Sequence, residues 1–283
     1  MGICYVIESI SGHLGHMLPL YSALGGVLTS PNSEIYTSLI KNGYRVAPYD
    51  AIKYIKNIVV AHQCNLREIA PNSNVIQVFH GVSDKLSYYL AHFPEHYDYL
   101  IFHHSAGYEH WTTTYSDHAN KALTSNYTRA AYYKDIPPPE DFILYCPTWK
   151  SAEILEELKG IEYINKLSPK HRVKVKLHPN TDSKTISRFR NCEIIQETGY
   201  LEEELKKAKL LISDFSSMAY EFTLTKRPII LIKNSMIKPM LADYVPWIEP
   251  SELDETIDSL VPQNYPNFFY EKDITEVVKK CLK

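Results

Sequence analysis

The chain has 283 residues, enough to bury a real core and to hold two domains. Its 45% hydrophobic and 22% charged content is ordinary for a globular protein. Thirty Lys and Arg against 33 Asp and Glu leave a net charge of −3, so bulk electrostatics favour neither nucleic acid nor a strongly anionic surface.

Cys4, Cys64, Cys146, Cys192 and Cys281 are odd in number, widely spaced and form no Cys-x-x-Cys pair. That pattern points to free thiols in a reducing compartment rather than to a disulfide framework or a zinc site. The stretch Met1 to Ile10 reads as a first strand, not as a signal peptide. No window approaches the roughly 20 apolar residues that span a bilayer. We therefore expect a cytoplasmic location, with any membrane contact peripheral on the inner face. The 22 tyrosines suit an interface, but equally suit half-buried strands and loops.

In chain order, Cys4 to Ile7 is a predicted strand, and Ser11-Gly12-His13-Leu14-Gly15-His16 forms a Gly-His loop after it. That loop leads into a helix over Leu18 to Leu28. Its glycines permit close approach of an acceptor, with His16 a second-choice base, although a plain tight turn explains it as well. Ile58 to Ala61, Val75 to Phe79 and Tyr99 to Phe102 are further strands, with a helix over Ser83 to Ala91. Pro137-Pro138-Pro139 can continue neither a helix nor a central strand. The expected domains are therefore 1–138, on the acceptor side, and 139–283, binding a nucleotide donor.

Beyond that break the alternation is clearer. Strands over Phe142 to Cys146, Val173 to Leu177, Leu210 to Ser213 and Pro228 to Ile232 are interleaved with helical patterns over Ala152 to Leu167, Asp182 to Arg190 and Ser216 to Leu224. Glu193 to Gln196 and Leu201 to Ala208 continue the alternation, and Ile274 to Leu282 is a closing helix able to pack back on the first half. Strand and helix alternating at this pitch predict α/β architecture, two doubly wound parallel sheets facing a cleft. Ligands bind such sheets at the carboxyl ends of their strands.

Four constellations sit at those ends. Ser213-Asp214-Phe215-Ser216-Ser217 closes a strand and opens a helix, a cradle for phosphate with Glu221 one turn further to meet a hydroxyl; an ordinary N-cap fits equally. His178-Pro179 ends a strand, where the imidazole is able to donate to phosphate or simply be a polar strand end. His80-Gly81 follows another strand, placing a general base for a hydroxyl nucleophile, with Lys85 a turn later to compensate acceptor charge. Thr148 and Lys150, in Pro147-Thr148-Trp149-Lys150, are candidates for phosphate oxygens. No HExxH, DxD, GxGxxG, GxxxxGK[ST] or GxSxG motif is present, so we expect neither a protein-ligated metal nor a cofactor.

Each element is short, but their order is specific. His80-Gly81 with Lys85, Pro147-Thr148-Trp149-Lys150, His178-Pro179, Asp214-Phe215-Ser216-Ser217, Tyr220-Glu221 and Arg227-Pro228-Ile229-Ile230 together resemble the CDP-glycerol glycerophosphotransferase family. The resemblance implies a GT-B fold and transfer of a polyol phosphate, glycerol phosphate first, from a CDP-activated donor. The implied acceptor is a hydroxyl of a lipid- or glycan-linked molecule at a membrane surface, and CMP is released. It implies His80 as base, His178 and the Ser216-Ser217 amides on the donor phosphates, and Glu221 on a donor hydroxyl. Thr148, Lys150 and Asp214 join the donor side, and His13, His16, Gly81 and Lys85 the acceptor side. Two rivals remain at this point: a nucleotide-sugar glycosyltransferase or epimerase on the same fold, and a non-catalytic module of polymer assembly.

Overall fold

A computed structural model describes residues 2–9, 13–82, 84, 86–148, 159–177, 181–195, 201–233, 238–261 and 263–283. The chain divides into two compact units, Met1–Ala131 with Asn267–Lys283, and Tyr132–Pro266.

The first unit is built on β1 (Ile3–Val6), β2 (Val27–Thr29), β3 (Asn57–Val60), β4 (Asn74–Val78), β5 (Tyr99–Phe102) and β6 (Ala122–Thr124). They form a parallel sheet in the order β2-β1-β3-β4-β5-β6. Alternate residues enter two separate cores. Tyr5, Val59, Ile76 and Ile101 face one cluster, while Cys4, Val6, Ile58, Val60, Leu100 and Phe102 face the other. Burial on both faces is why these strands read as nearly continuous apolar runs, and each fully buried Ile, Val or Leu contributes about 1.5–3 kcal/mol.

The second unit carries β7 (Glu140–Cys146), β8 (Val173–Val175), β9 (Glu193–Ile194), β10 (Ala208–Ser213), β11 (Ile229–Ile232) and β12 (Trp247–Ile248). Their order is β12-β11-β10-β7-β8-β9, again all parallel. Read from β9, this is the dinucleotide-fold order, whose reversal falls between β7 and β10. In the first sheet the reversal falls between β1 and β3.

The first helix differs from its expected span. α1 runs over Gly15–Leu24, and β2 follows within the stretch expected to be helical. Gly25 and Gly26 adopt φ of +68° and +118°, and a Cβ on Gly26 would stand 2.5 Å from the Ile3 carbonyl oxygen. Only glycine fits there, so the helix stops and Val27 enters the sheet beside β1. α2 (Ser33–Lys41) was not anticipated; the Asn32 side chain caps it, accepting from Glu34 N at 2.9 Å and Ile35 N at 3.2 Å.

The division between units falls before the proline run. Asn126 N donates to the Lys272 carbonyl at 2.7 Å, and Tyr127 stacks on Phe269 at 4.9 Å, so this stretch belongs with the returning segment. Past it, Tyr133 bonds to Glu221, and the Pro137 carbonyl accepts from the Arg227 guanidinium, which ties the proline run to the second unit. α10 (Ile274–Cys281), capped by Asp273, buries Ile274, Val277, Val278 and Cys281 in the first core. All five cysteines are free. Tyr5, Tyr89, Tyr97, Tyr145 and Tyr220 are fully buried, so part of the tyrosine excess is core packing. Among the described residues no helix is long and apolar enough to cross a membrane.

Candidate functional site

Ten of the twelve histidines lie in the first unit, and several converge at the carboxyl edge of its sheet. His80 lies two residues past the end of β4. Its Nδ1 lies 2.5 Å from the Ala61 carbonyl oxygen, and a carbonyl only accepts, so Nδ1 carries the proton. The Tyr88 hydroxyl is 3.1 Å from the same nitrogen. In the neutral ring this leaves Nε2 as the basic atom. Burial lowers the His80 pKa from its ordinary value, opposed by the Ala61 hydrogen bond and reinforced by His62. The residue as a whole is half-buried.

His13 and His16 gather around it. The His13 ring centroid is 5.2 Å from that of His80, and the His16 centroid is 6.1 Å away. His16 is buried, with Nδ1 2.9 Å from the Thr128 hydroxyl. Burial, with the Arg129 guanidinium and neighbouring imidazoles, holds its pKa well below the usual value. His13 is pushed down to about 2 by burial and by His80 and His62. This edge is therefore a cluster of neutral imidazoles, with His80 the better exposed base and His16 the more enclosed one. Gly81 is buried beside His80. His92 is a core residue, 4.7 Å from the Phe79 ring, with Nδ1 donating to the Tyr88 carbonyl at 3.0 Å.

The second constellation lies at the reversal of the second sheet. Asp214 follows β10 and is buried. Its carboxylate accepts from Thr148 N at 3.0 Å, from Thr148 Oγ1 at 2.5 Å and from Ser216 N at 3.1 Å. The carboxylate thus joins the loop after β7 to the start of α8 (Ser217–Phe222). A carboxylate so engaged, beside an expected diphosphate, suits a positioning residue better than a ligand contact.

Ser216 is the N-cap of α8, its hydroxyl accepting from Met218 N at 3.3 Å. Its own amide, expected on phosphate, is engaged by Asp214. The Ser217 side chain has no hydrogen-bond partner among the described residues, and the residue is half-buried. Glu221 is buried one turn on, and Oε1 accepts from the Tyr133 hydroxyl at 2.6 Å. His178, Lys150 and Lys85 lie outside the described residues. Arg227, in the basic-Pro element, donates to the Lys206 and Ala208 carbonyls, where α7 (Glu202–Lys207) passes into β10. It is a staple at the entering end of the sheet, away from the Asp214 edge.

Glu8, His62, Tyr88, Thr128, Tyr133 and Lys176 were not anticipated. Lys176 directly follows β8 and had a sequence signal, the alternating lysines of Val173-Lys174-Val175-Lys176. Burial lowers its ammonium pKa. Among the described residues no group of three or more His, Cys, Asp or Glu is placed to hold a metal ion.

The family model described as CDP-glycerol:poly(glycerophosphate) glycerophosphotransferase matches residues 49–236, more than half of the chain. No match is found among curated proteins. Among solved structures, a variant of the wall teichoic acid polymerase TagF soaked with CDPG superposes with a TM-score of 0.61 at 16% identity, over 90% of this chain and 78% of that one. The UDP-GlcNAc 2-epimerase of Methanocaldococcus jannaschii gives 0.66 at 14% identity, over 99% and 98%. MnaA of S. aureus with UDP gives 0.61 at 13%, over 92% and 88%. Identities this low speak to the fold alone, which is of GT-B type. The stretch matched by the family model contains His80, Thr148, Asp214 and Glu221. The chain belongs to the CDP-glycerol:poly(glycerophosphate) glycerophosphotransferase family.

Proposed function

We propose that the chain transfers a polyol phosphate, glycerol phosphate first, from a CDP-activated donor to a hydroxyl of a lipid- or glycan-linked acceptor, releasing CMP. The observation that carries this reading is the family match across both constellations. His80 Nε2 takes the acceptor proton, and the acceptor oxygen attacks the phosphorus that bears the polyol. The bond from that phosphorus to the bridging oxygen breaks, and the electron pair leaves with CMP. Such a transfer needs little covalent help from the protein, so positioning and electrostatics carry the rate.

In this reading Ser217, Thr148, Lys150 and His178 hold the donor phosphates, and Glu221, fixed by Tyr133, meets a donor hydroxyl. Asp214 holds Thr148 and Ser216 in place from behind. His13, His16, Gly81 and Lys85 line the acceptor side. The acceptor at a membrane surface and peripheral attachment on the inner face remain part of the proposal.

A thermal-shift series with CDP, CDP-glycerol, UDP and UDP-sugars tests it, because a ligand bound only by the native state raises the melting temperature. Cytidine ligands are expected to stabilise most, and CMP is expected to appear when acceptor is added. Stronger stabilisation by a UDP-sugar transfers the assignment to a glycosyltransferase or epimerase. Folded protein that answers to no nucleotide is a binding module.

A further inference from the structure

Glu8 lies just past β1 and His62 just past β3, the two strands between which the order of the first sheet reverses. His62 Nε2 lies 2.8 Å from Glu8 Oε1; the imidazole side chain is 7% exposed and the carboxylate 43%. The contact is not a hydrogen bond, and both His62 ring nitrogens are shut off from solvent. Neither nitrogen is open to solvent in this arrangement, so His62 is placed to act through its neighbours. What it touches is the neighbouring ring. The His62 and His13 imidazoles stack at 5.0 Å with an interplanar angle of 15°, and His13 in turn lies 5.2 Å from His80. The residue before His62 is Ala61, whose carbonyl receives the His80 Nδ1 proton.

One short stretch after β3 thus bears on His80 twice, through a carbonyl that sets its tautomer and through a ring that backs its neighbour. We propose that Glu8 and His62 are a positioning pair for His80: the carboxylate anchors the His62 ring from the solvent side, and that ring fixes His13 and the Ala61 carbonyl. This rests on His80 being the base. The groups facing His80 are His13 and His16 around the start of α1, His62 after β3, Tyr88 on α3 (Leu86–Leu90), and His103 after β5. Of these, His62 lies against an acid. When His80 accepts a proton, the charge appears beside imidazoles, and Glu8 offsets it through the stack.

The test uses Glu8→Gln and His62→Gln in the full chain, with two readouts. Imidazole nitrogen NMR follows the tautomer and titration of His80 and His13 without any substrate. Kinetics with CDP-glycerol separate kcat from KM. In both variants the His13 and His80 titrations are expected to move together, and kcat to fall about tenfold with KM for the donor nearly unchanged, a small loss of orientation being enough for that. Glu8→Asp is expected to restore part of the rate. Wild-type titrations and wild-type kcat in Glu8→Gln, a substitution at a side chain 43% exposed, overturn the pair. If His80→Ala keeps its turnover, the base assignment falls instead, and the NMR titrations still decide whether the pair positions the ring.

Discussion

Asp214 and Thr148 are joined through both the amide and the hydroxyl of the threonine, at 3.0 and 2.5 Å, although 66 residues separate them in the chain. The carboxylate is buried and also takes the Ser216 amide, so it closes the reversal point of the second sheet. Asp214→Asn presents an amide donor to groups that are themselves donors. The expected loss is about 1–3 kcal/mol of stability, with weaker CDP binding. Urea unfolding measures it, and an unchanged midpoint contradicts the clamp.

Ser216 and Ser217 are expected to separate in experiment. Ser216→Ala removes a helix cap and costs about 1 kcal/mol of stability. Ser217→Ala leaves stability within about 0.5 kcal/mol, as surface substitutions do, but weakens CDP binding. Calorimetry on the two variants checks this. Equal CDP affinity in Ser217→Ala and the wild type removes Ser217 from the donor site.

His80→Ala is expected to lower turnover by about 10²–10⁴, the range for a general base, with CDP affinity and melting temperature little changed. Steady-state CMP release provides the measurement. Wild-type turnover with a competent acceptor would pass the role to His16.

The buried imidazoles make the first unit sensitive to acid. Burial, chiefly, lowers His92 and His103 to about 4 and His104 to about 3. Unfolded, each takes its proton near pH 6.5. Between those values the unfolded chain binds more protons, so this stability is complete above about pH 6.5 and is lost as pH falls toward 4. Each imidazole contributes up to about 1.4 kcal/mol per pH unit. The melting temperature is expected to fall across pH 6.5–4.5, and less steeply in His92→Asn, whose amide keeps the bond to the Tyr88 carbonyl. A flat profile in the wild type contradicts the neutral cluster.

Ile274→Ala on α10 removes a side chain that is 4% exposed and packed against the first core. The expected cost is about 2–5 kcal/mol. Hydrogen exchange is expected to show the loss in the strands of the first sheet, and protection that falls only in the second unit speaks against it.

Much of the architecture was legible because parallel strands buried on both faces leave apolar runs. His80, Thr148 and Asp214 became candidates because they lie at the ends of such runs, where open α/β sheets bind ligands. β2 was not, because Val27 to Thr29 continues an apolar pattern and only the conformation of Gly25 and Gly26 breaks it. The different hydrogen bonding of Ser216 and Ser217 was not legible, since it depends on where the Asp214 carboxylate points. His62 stands alone between Ala61 and Gln63, and its meaning comes from Glu8, 54 residues earlier, a partner that no spacing announces.

The first unit is discontinuous, since its core takes side chains from α10 only after the whole second unit has been made. During synthesis the face of Tyr5, Val59 and Ile76 waits, unsealed, while more than a hundred further residues emerge. Domains generally fold as units in the order in which they emerge. Here that order is inverted, and the second unit, encoded later, is the first able to finish. Loss of the closing segment would therefore leave the earlier-made half exposed and prone to aggregate, with the later-made half intact.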